Sequence, residues 1–218
     1  MRQDFDLLVF DWDGTLMDST GTIARSIQLA FADAGLPVPE YEKAAYVIGY
    51  GLKEAMQYLA PEADDAAVAR IVDAYKQHYL QQDAHLVLFE GVVEALPRFR
   101  EAGYMLAVAT GKSRVGLNRA LGATGLGDLF EVTRTADEAF SKPHPAMLEY
   151  ILDFTGVVPR RAIMIGDTTH DLQMGQNAGT ATISLGCGAH PAAALRAEKP
   201  LNHFDQFGDL AAWILNKA

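Results

Sequence analysis

The sequence predicts an α/β fold: a parallel sheet with helices on both faces, interrupted by an all-helical insert. Three observations carry this expectation. Short apolar runs at residues 7–10, 105–109, 130–132, 162–165 and 181–185 have strand length, and most end at Gly, Asp or Thr. Helix-like segments at residues 91–102, 114–123, 146–154 and 172–178 alternate with them. Strands alternating with helices form parallel βαβ units, whose sheet is covered on both faces. The third observation is a break in that rhythm: residues 19–84 carry helical patterns and no convincing strand.

Taken in order, the first run is LLVF, which stops at Asp11 and Asp13 and is followed by Gly14 and Thr15. In the insert, Ile23, Ile27, Ala30, Phe31 and Ala34 follow helical spacing, and Gly35 is a natural stop. Val68, Ile71, Val72, Tyr75 and Tyr79 repeat the pattern. The insert is longer than an ordinary βαβ crossover. It reads as a separate helical cap domain over residues 19–84, with hinges near residues 17–19 and 83–89. Residues 1–18 and 85–218 then form one Rossmann-like core domain, because the remaining four runs and their helices all follow the insert.

Composition narrows the functional classes. A chain of 218 residues, half of them hydrophobic, suits one large domain or two unequal ones. A net charge of -10 argues against nucleic-acid binding, which relies on Lys and Arg neutralising phosphates. It leaves room for a small anion, because a local Lys or metal reverses the field inside a pocket. Cys187 is the only cysteine, so no intrachain disulfide forms, and a buried or half-buried structural thiol is expected. Residues 1–6 carry three charges, unlike a secretory signal. No apolar run approaches the ~20 residues of a membrane span. The expectation is a soluble, cytoplasmic protein without membrane or nucleic-acid partners.

Open α/β sheets bind ligands beyond the carboxyl ends of their strands. The first strand delivers Asp11 and Asp13 there, the second Thr110 and Gly111, and the loop SKPHP delivers Lys142. GDTTHD delivers Asp167 and, shortly after, Asp171. Asp11 and Asp13 at the end of a buried strand repel each other and are costly to bury without a partner. A metal ion, or a phosphate held by that metal, supplies the compensation. Taken singly, each residue has an ordinary role as a turn former, helix cap or solvated lysine. Together they mark one rim four times over. TGKS is not the end of a P-loop, because Leu106 stands where that motif needs a glycine. No G-x-G-x-x-G follows any strand, so a dinucleotide site has no support.

DWDGTL, TGKS, KPHP and GDTTHD, in that order, resemble the four motifs of the haloacid dehalogenase-like hydrolases. They look most like the branch containing phosphoglycolate phosphatases and β-phosphoglucomutases, which carries a helical cap between its first and second motifs. The resemblance runs from Phe5 to about Gly186; Gly111 stands where relatives often have Ser or Asn before a Lys. It implies a phosphatase in which Asp11 attacks phosphorus to form an aspartyl-phosphate and Asp13 serves as general acid, then general base. Mg2+ would lie on Asp11, Asp167 and the backbone carbonyl of Asp13, with Asp171 either near the metal or orienting Lys142. Thr110 and Lys142, with the turn residues Gly14 and Gly111, would hold the phosphoryl group. The loop VIGYGLKEAM, through Tyr50 and Lys53, either contacts substrate or is an ordinary glycine turn. Thr15 is expected as a local hydroxyl cap, Asp18 as a helix N-cap, and Trp12 near the insert.

Phosphoglycolate is the substrate the resemblance favours, for a protein acting as a monomer or weak dimer. Nucleotide monophosphates, sugar phosphates and pyrophosphate remain alternatives, as does a phosphomutase on the same fold. A true haloacid dehalogenase needs neither Asp13 nor Asp167. A phospho-receiver is a single compact domain, which the helical insert argues against.

Overall fold

The computed structural model describes residues 4–82 and 87–216. In chain order the elements are β1 (Leu7–Phe10), β2 (Met17–Asp18), α1 (Thr20–Asp33), α2 (Tyr41–Tyr46), α3 (Leu52–Leu59) and α4 (Asp65–Gln82). There follow β3 (Val87–Leu88), α5 (Val92–Glu101), β4 (Met105–Thr110), α6 (Arg114–Thr124), β5 (Val132–Thr135) and α7 (Ala146–Thr155). The chain continues with β6 (Ala162–Gly166), α8 (Thr169–Asn177), β7 (Ala181–Leu185), α9 (Ala192–Ala197), β8 (Asn202–Phe204) and α10 (Phe207–Leu215).

Six strands form one sheet in the order β5-β4-β1-β6-β7-β8. Every neighbouring pair is parallel, with Leu7 beside both Met105 and Ala162. The short, wholly apolar β1 takes the centre, where both its faces are covered. Alternation sends Leu8 and Phe10 to one face, with Leu106, Val108, Ile163 and Ile165, beneath Phe99 of α5 and Leu210 of α10. Leu7 and Val9 go to the other, with Ala107 and Met164, against Leu148 and Ile151 of α7 and Met174 of α8. Burying each large apolar side chain stabilises the fold by about 1.5–3 kcal/mol before entropy is counted. This is the parallel, Rossmann-like α/β core the alternating pattern predicts.

Helices α1–α4 pack around a cluster of their own, centred on Ile27, Phe31, Met56 and Ile71. An antiparallel ribbon, Met17 opposite Leu88 and Asp18 opposite Val87, joins the chain entering this helical unit to the chain leaving it. The boundary expected between residues 84 and 85, and positions 83–86 of the second hinge, lie outside the described residues. Among the described residues no helix is long and apolar enough to cross a membrane.

Several details differ from the sequence expectation. The third strand lies at Val132–Thr135 rather than residues 130–132, because Phe130 instead buries its ring against Trp12. Trp12 itself is fully enclosed in the cluster under the sheet and does not pack near the insert. Asp18 is exposed in the ribbon, and the N-cap position of α1 is Ser19. The edge strand β8 and helices α9 and α10 lie outside the sequence expectation, although α10 buries Phe207, Leu210, Ala211 and Ile214 at helical spacing.

Candidate active site

Asp11 is buried just past β1. Its Oδ1 accepts from the backbone N–H of Trp12 at 2.6 Å and lies 2.9 Å from the ammonium of Lys142. Its buried Oδ2 has no hydrogen-bond partner among the described residues. Lys142, fully enclosed, also donates to Asp171 Oδ1 at 2.6 Å. Asp171 is held by a capping box at the start of α8: its Oδ2 accepts from Thr168 N–H at 3.0 Å and from the Thr168 hydroxyl at 2.6 Å. Both Asp171 oxygens are therefore engaged, which matches an orienting partner of Lys142.

Asp167, at the end of β6, accepts from the Thr15 hydroxyl on Oδ1 at 2.7 Å and from Ala189 N–H on Oδ2 at 2.8 Å. Thr15 is thus a partner of Asp167 across the sheet rather than a local cap. Gly14 has φ +81°, and a side-chain carbon there would fall on the Asp167 carboxylate and on Thr20. Gly188 faces Asp167 in the same way. These two glycines let backbone close around that carboxylate.

The electrostatics are those of crowded acids. Burial, with Asp171 and Asp13 adding to it, pushes Asp11 up to about 7 despite the opposing pull of Lys142. Burial, then Asp171 and Asp11, raise Asp167 well above the usual carboxylate range. For Lys142 burial works downward, but Asp11 and Asp171 reverse it and hold the ammonium charged.

Asp11, Asp167 and Asp171 each present an oxygen within 4.8 Å of the others. Three buried carboxylates facing one ammonium, with an orphaned Oδ2 on Asp11, fit a small hard cation taking oxygen ligands.

Asp13 forms the other half of the rim. Its Oδ1 accepts from the Ser19 hydroxyl at 2.6 Å, and both oxygens lie 3.0 Å from the Lys112 ammonium. Thr110 is buried at the end of β4, its hydroxyl accepting from Lys112 N–H at 3.2 Å.

The helical unit sits directly over this rim. Gly111 lies under the Gly49 and Tyr50 carbonyls, and a Cβ there would come within 2.7 and 2.6 Å of them. Tyr46 O accepts from Nε2 of His170 at 2.8 Å and of His190 at 2.9 Å. Thr169 N–H donates to His190 Nδ1 at 3.0 Å, which leaves the His190 proton on Nε2 for Tyr46. Burial pushes His170 down to about 4 and lowers His190 as well, which disfavours charge on both rings of this clasp. Gly51 N–H donates to Ser141 Oγ at 2.6 Å. Between the two units lies a cavity of about 710 Å³, with Asp11, Asp13, Thr110 and Gly111 on the core side and Tyr50 and Lys53 among the residues opposite.

The structure therefore gathers Asp11, Asp13, Thr110, Lys142, Asp167 and Asp171 at one rim. Tyr50 packs against His170, with ring centroids 4.1 Å apart and planes tilted by 30°. Lys53 is largely exposed and pairs with Asp65 at 3.2 Å. The cation deep in the cavity is Lys112, with a side chain only 9% exposed. Sequence reading passes over Lys112, Ser19 and the Gly188–Ala189 turn; the lysine two residues beyond a strand end is the one local signal among them. Cys187 is half-buried, its thiol pushed up to about 12 by burial, as a structural thiol should be.

Fold and site together are an α/β sheet with buried carboxylates gathered around a buried ammonium at the carboxyl ends of its strands. The model of the family described as haloacid dehalogenase-like hydrolase matches residues 8–185. A probable phosphatase, IndB, of Dickeya dadantii (strain 3937) is 35% identical over 209 residues, 94% of this chain and 91% of that protein. The phosphoglycolate phosphatase of Aliivibrio fischeri (strain ATCC 700601 / ES114) is 30% identical, covering 97% of each chain. The crystal structure of a predicted phosphoglycolate phosphatase from Haemophilus somnus 129pt superposes with a TM-score of 0.82 at 27% identity, over 98% of this chain and 99% of that one. The chain belongs to the haloacid dehalogenase-like hydrolases, in the branch that contains phosphoglycolate phosphatases. It is a hydrolase of the phosphatase type.

Proposed function

We propose that the protein is a Mg2+-dependent phosphatase of small phosphomonoesters, working through an aspartyl-phosphate on Asp11. The observation that carries this is the Asp11 carboxylate: one oxygen fixed by Lys142 and Trp12 N–H, the other buried with no hydrogen-bond partner among the described residues. Asp11 bonds to phosphorus as the bond to the leaving oxygen breaks, and Asp13 supplies that oxygen with a proton. Asp13 then takes a proton from the water that attacks the phosphoryl group, releasing phosphate and restoring Asp11. Lys142 and Thr110 hold phosphoryl oxygens, Gly14 and Gly111 give the backbone room beside them, and Asp171 keeps Lys142 aimed.

Mg2+ would be held by Asp11, Asp167 and the backbone carbonyl of Asp13, with Asp171 behind Lys142. When bound, it neutralises the crowded carboxylates and the charge on the phosphoryl oxygens. Residues 19–84 act as a cap that excludes water and reads the leaving group through Tyr50 and the rim lysine Lys53. The Aliivibrio fischeri relative's name supports phosphoglycolate as the first substrate to assay.

The acids predict a pH-dependent response to the metal. Asp11 and Asp167 are raised in the folded protein, so the unfolded chain releases their protons first as pH climbs. Stability of the metal-free protein from these groups is present at low pH and is lost as pH rises toward about 7. Mg2+ binds their ionised forms and restores it. Calorimetry should show Mg2+ raising Tm more at alkaline than at acidic pH, and EDTA should abolish turnover of an aryl phosphate. Full activity after exhaustive chelation, or a Tm indifferent to Mg2+ at every pH, contradicts the assignment.

A further inference from the structure

Lys112 stands outside the roles just assigned. Its ammonium lies 3.0 Å from each Asp13 oxygen and 2.9 Å from the hydroxyl of Tyr79, and 4.8 Å from the centroid of the Tyr79 ring. Tyr79 belongs to α4 of the helical unit and is buried in that unit's own cluster. Lys112 belongs to the loop between β4 and α6 of the core. A single, nearly enclosed charge therefore joins the helical unit to the carboxylate assigned to proton transfer.

Asp13 needs such a partner. Asp13 stands just before the turn that begins at Gly14, and among the described residues its other side-chain donor is Ser19, on Oδ1 at 2.6 Å. Ser19 lies at the first hinge, next to the ribbon formed by Met17 and Asp18. The Asp13 carboxylate is thus pinned by one residue at the hinge and by one lysine that the helical unit itself anchors. A charge-assisted contact in a site sheltered from water is stronger and more directional than an exposed one.

We infer that Lys112 is a positioning residue that sets the Asp13 carboxylate for proton transfer only while Tyr79 of the docked helical unit holds it. This rests on the phosphatase reading above. It makes the docked position of the helical unit a condition for proton transfer, because Tyr79 holds the ammonium that holds both Asp13 oxygens. When the helical unit moves away, Lys112 loses the hydroxyl and the ring face together, and its grip on Asp13 loosens.

The test uses the full chain with Mg2+ and a series of phosphate esters, from p-nitrophenyl phosphate through less acidic phenols to an alkyl phosphate. Proton donation matters most for the poorest leaving groups. Lys112→Met should lower kcat/KM for the alkyl ester by about 10²-fold, the low end of an acid–base contribution, and far less for p-nitrophenyl phosphate. Tyr79→Phe keeps the ring and should steepen the same dependence by about fivefold at the alkyl end, the worth of one hydrogen bond. Lys112→Arg should recover much of the loss, since a guanidinium still spans both carboxylate oxygens. A Lys112→Met protein whose KM rises equally for every ester, with the leaving-group dependence unchanged, overturns the inference and makes Lys112 a binding residue. Lys112→Arg no better than Lys112→Met overturns it as well. Should Lys112→Met fail to fold, Tyr79→Phe decides alone, and an unchanged leaving-group dependence in that variant overturns the inference. Wild-type protein that hydrolyses none of the esters overturns the phosphatase reading together with this one; hydrolysis by wild type with unaltered variant slopes overturns this one only.

Discussion

Asp11→Asn should leave the protein folded and stop its chemistry. The amide keeps the shape of the carboxylate but cannot bond to phosphorus and depart again, so the covalent route is lost outright. A fall in kcat of about 10⁴-fold or more is expected, the scale on which covalent enzymes respond to loss of the nucleophile. The fold should not suffer. Burial already raises Asp11 to about 7, so an ionised carboxylate is a burden on the metal-free protein at neutral pH. A neutral side chain removes that burden, while Lys142 retains Asp171 at 2.6 Å. Steady-state kinetics with a calorimetric control separates the two effects. Activity above about a tenth of wild type is incompatible with nucleophilic catalysis by Asp11.

Lys142→Met should damage both stability and turnover. The ammonium is fully buried between Asp11 and Asp171, and its loss leaves those acids beside Asp167 with no opposing charge in contact. Removing one member of a buried ion pair typically costs about 3–5 kcal/mol. For a chain of this size that corresponds to a fall in Tm of about 6–20 °C. The sign of the pH dependence follows from the acids. Without Lys142 they bind protons still more readily when folded, so the deficit relative to wild type should shrink as pH falls. Bound Mg2+ should recover part of it. Thermal unfolding from acidic to alkaline pH, with and without Mg2+, measures all three. A variant with wild-type Tm at alkaline pH shows that the trio is not stabilised by this charge. Turnover should fall too, since the site loses the enclosed cation proposed to hold a phosphoryl oxygen.

Much of the core and of the rim was legible in the chain itself, and the reason is local. Apolar runs that end abruptly in Asp11, Thr110 and Asp167 mark strands and their carboxyl ends at once, because a buried parallel strand needs continuous apolar sequence. The misplaced third strand shows the limit of that signal. VTRT at Val132–Thr135 lies at the sheet edge, is only partly covered, and so carries little apolar pattern. The three-residue β8 and the two-residue ribbon are weaker still.

What the chain does not display is partnership across distance. Thr15 meets Asp167 from 152 positions away, and Lys112 meets Asp13 from 99. Neither contact leaves a trace in spacing, since both arise from strand order in the sheet. Ser19 takes the N-cap position of α1, yet its hydroxyl serves Asp13 rather than the helix. Lys53, in its glycine-rich loop, shows in this structure an exposed ion pair with Asp65, and such pairs contribute little and hold the side chain loosely.

The central claim is a phosphoryl group carried on Asp11, and one measurement addresses it directly. Asp13→Ala keeps the backbone carbonyl but loses the base that activates water. With Mg2+ and an aryl phosphate, whose leaving group needs little protonation, phosphoryl transfer should outrun its hydrolysis. Rapid acid quench and mass spectrometry of proteolytic fragments should then find one phosphoryl group per chain. It should lie on the fragment containing Asp11, be released by hydroxylamine as an acyl phosphate is, and be absent from the Asp11→Asn, Asp13→Ala double variant. Phosphate release by Asp13→Ala with no phosphorylated fragment at any time, or with the group on another residue, contradicts the account.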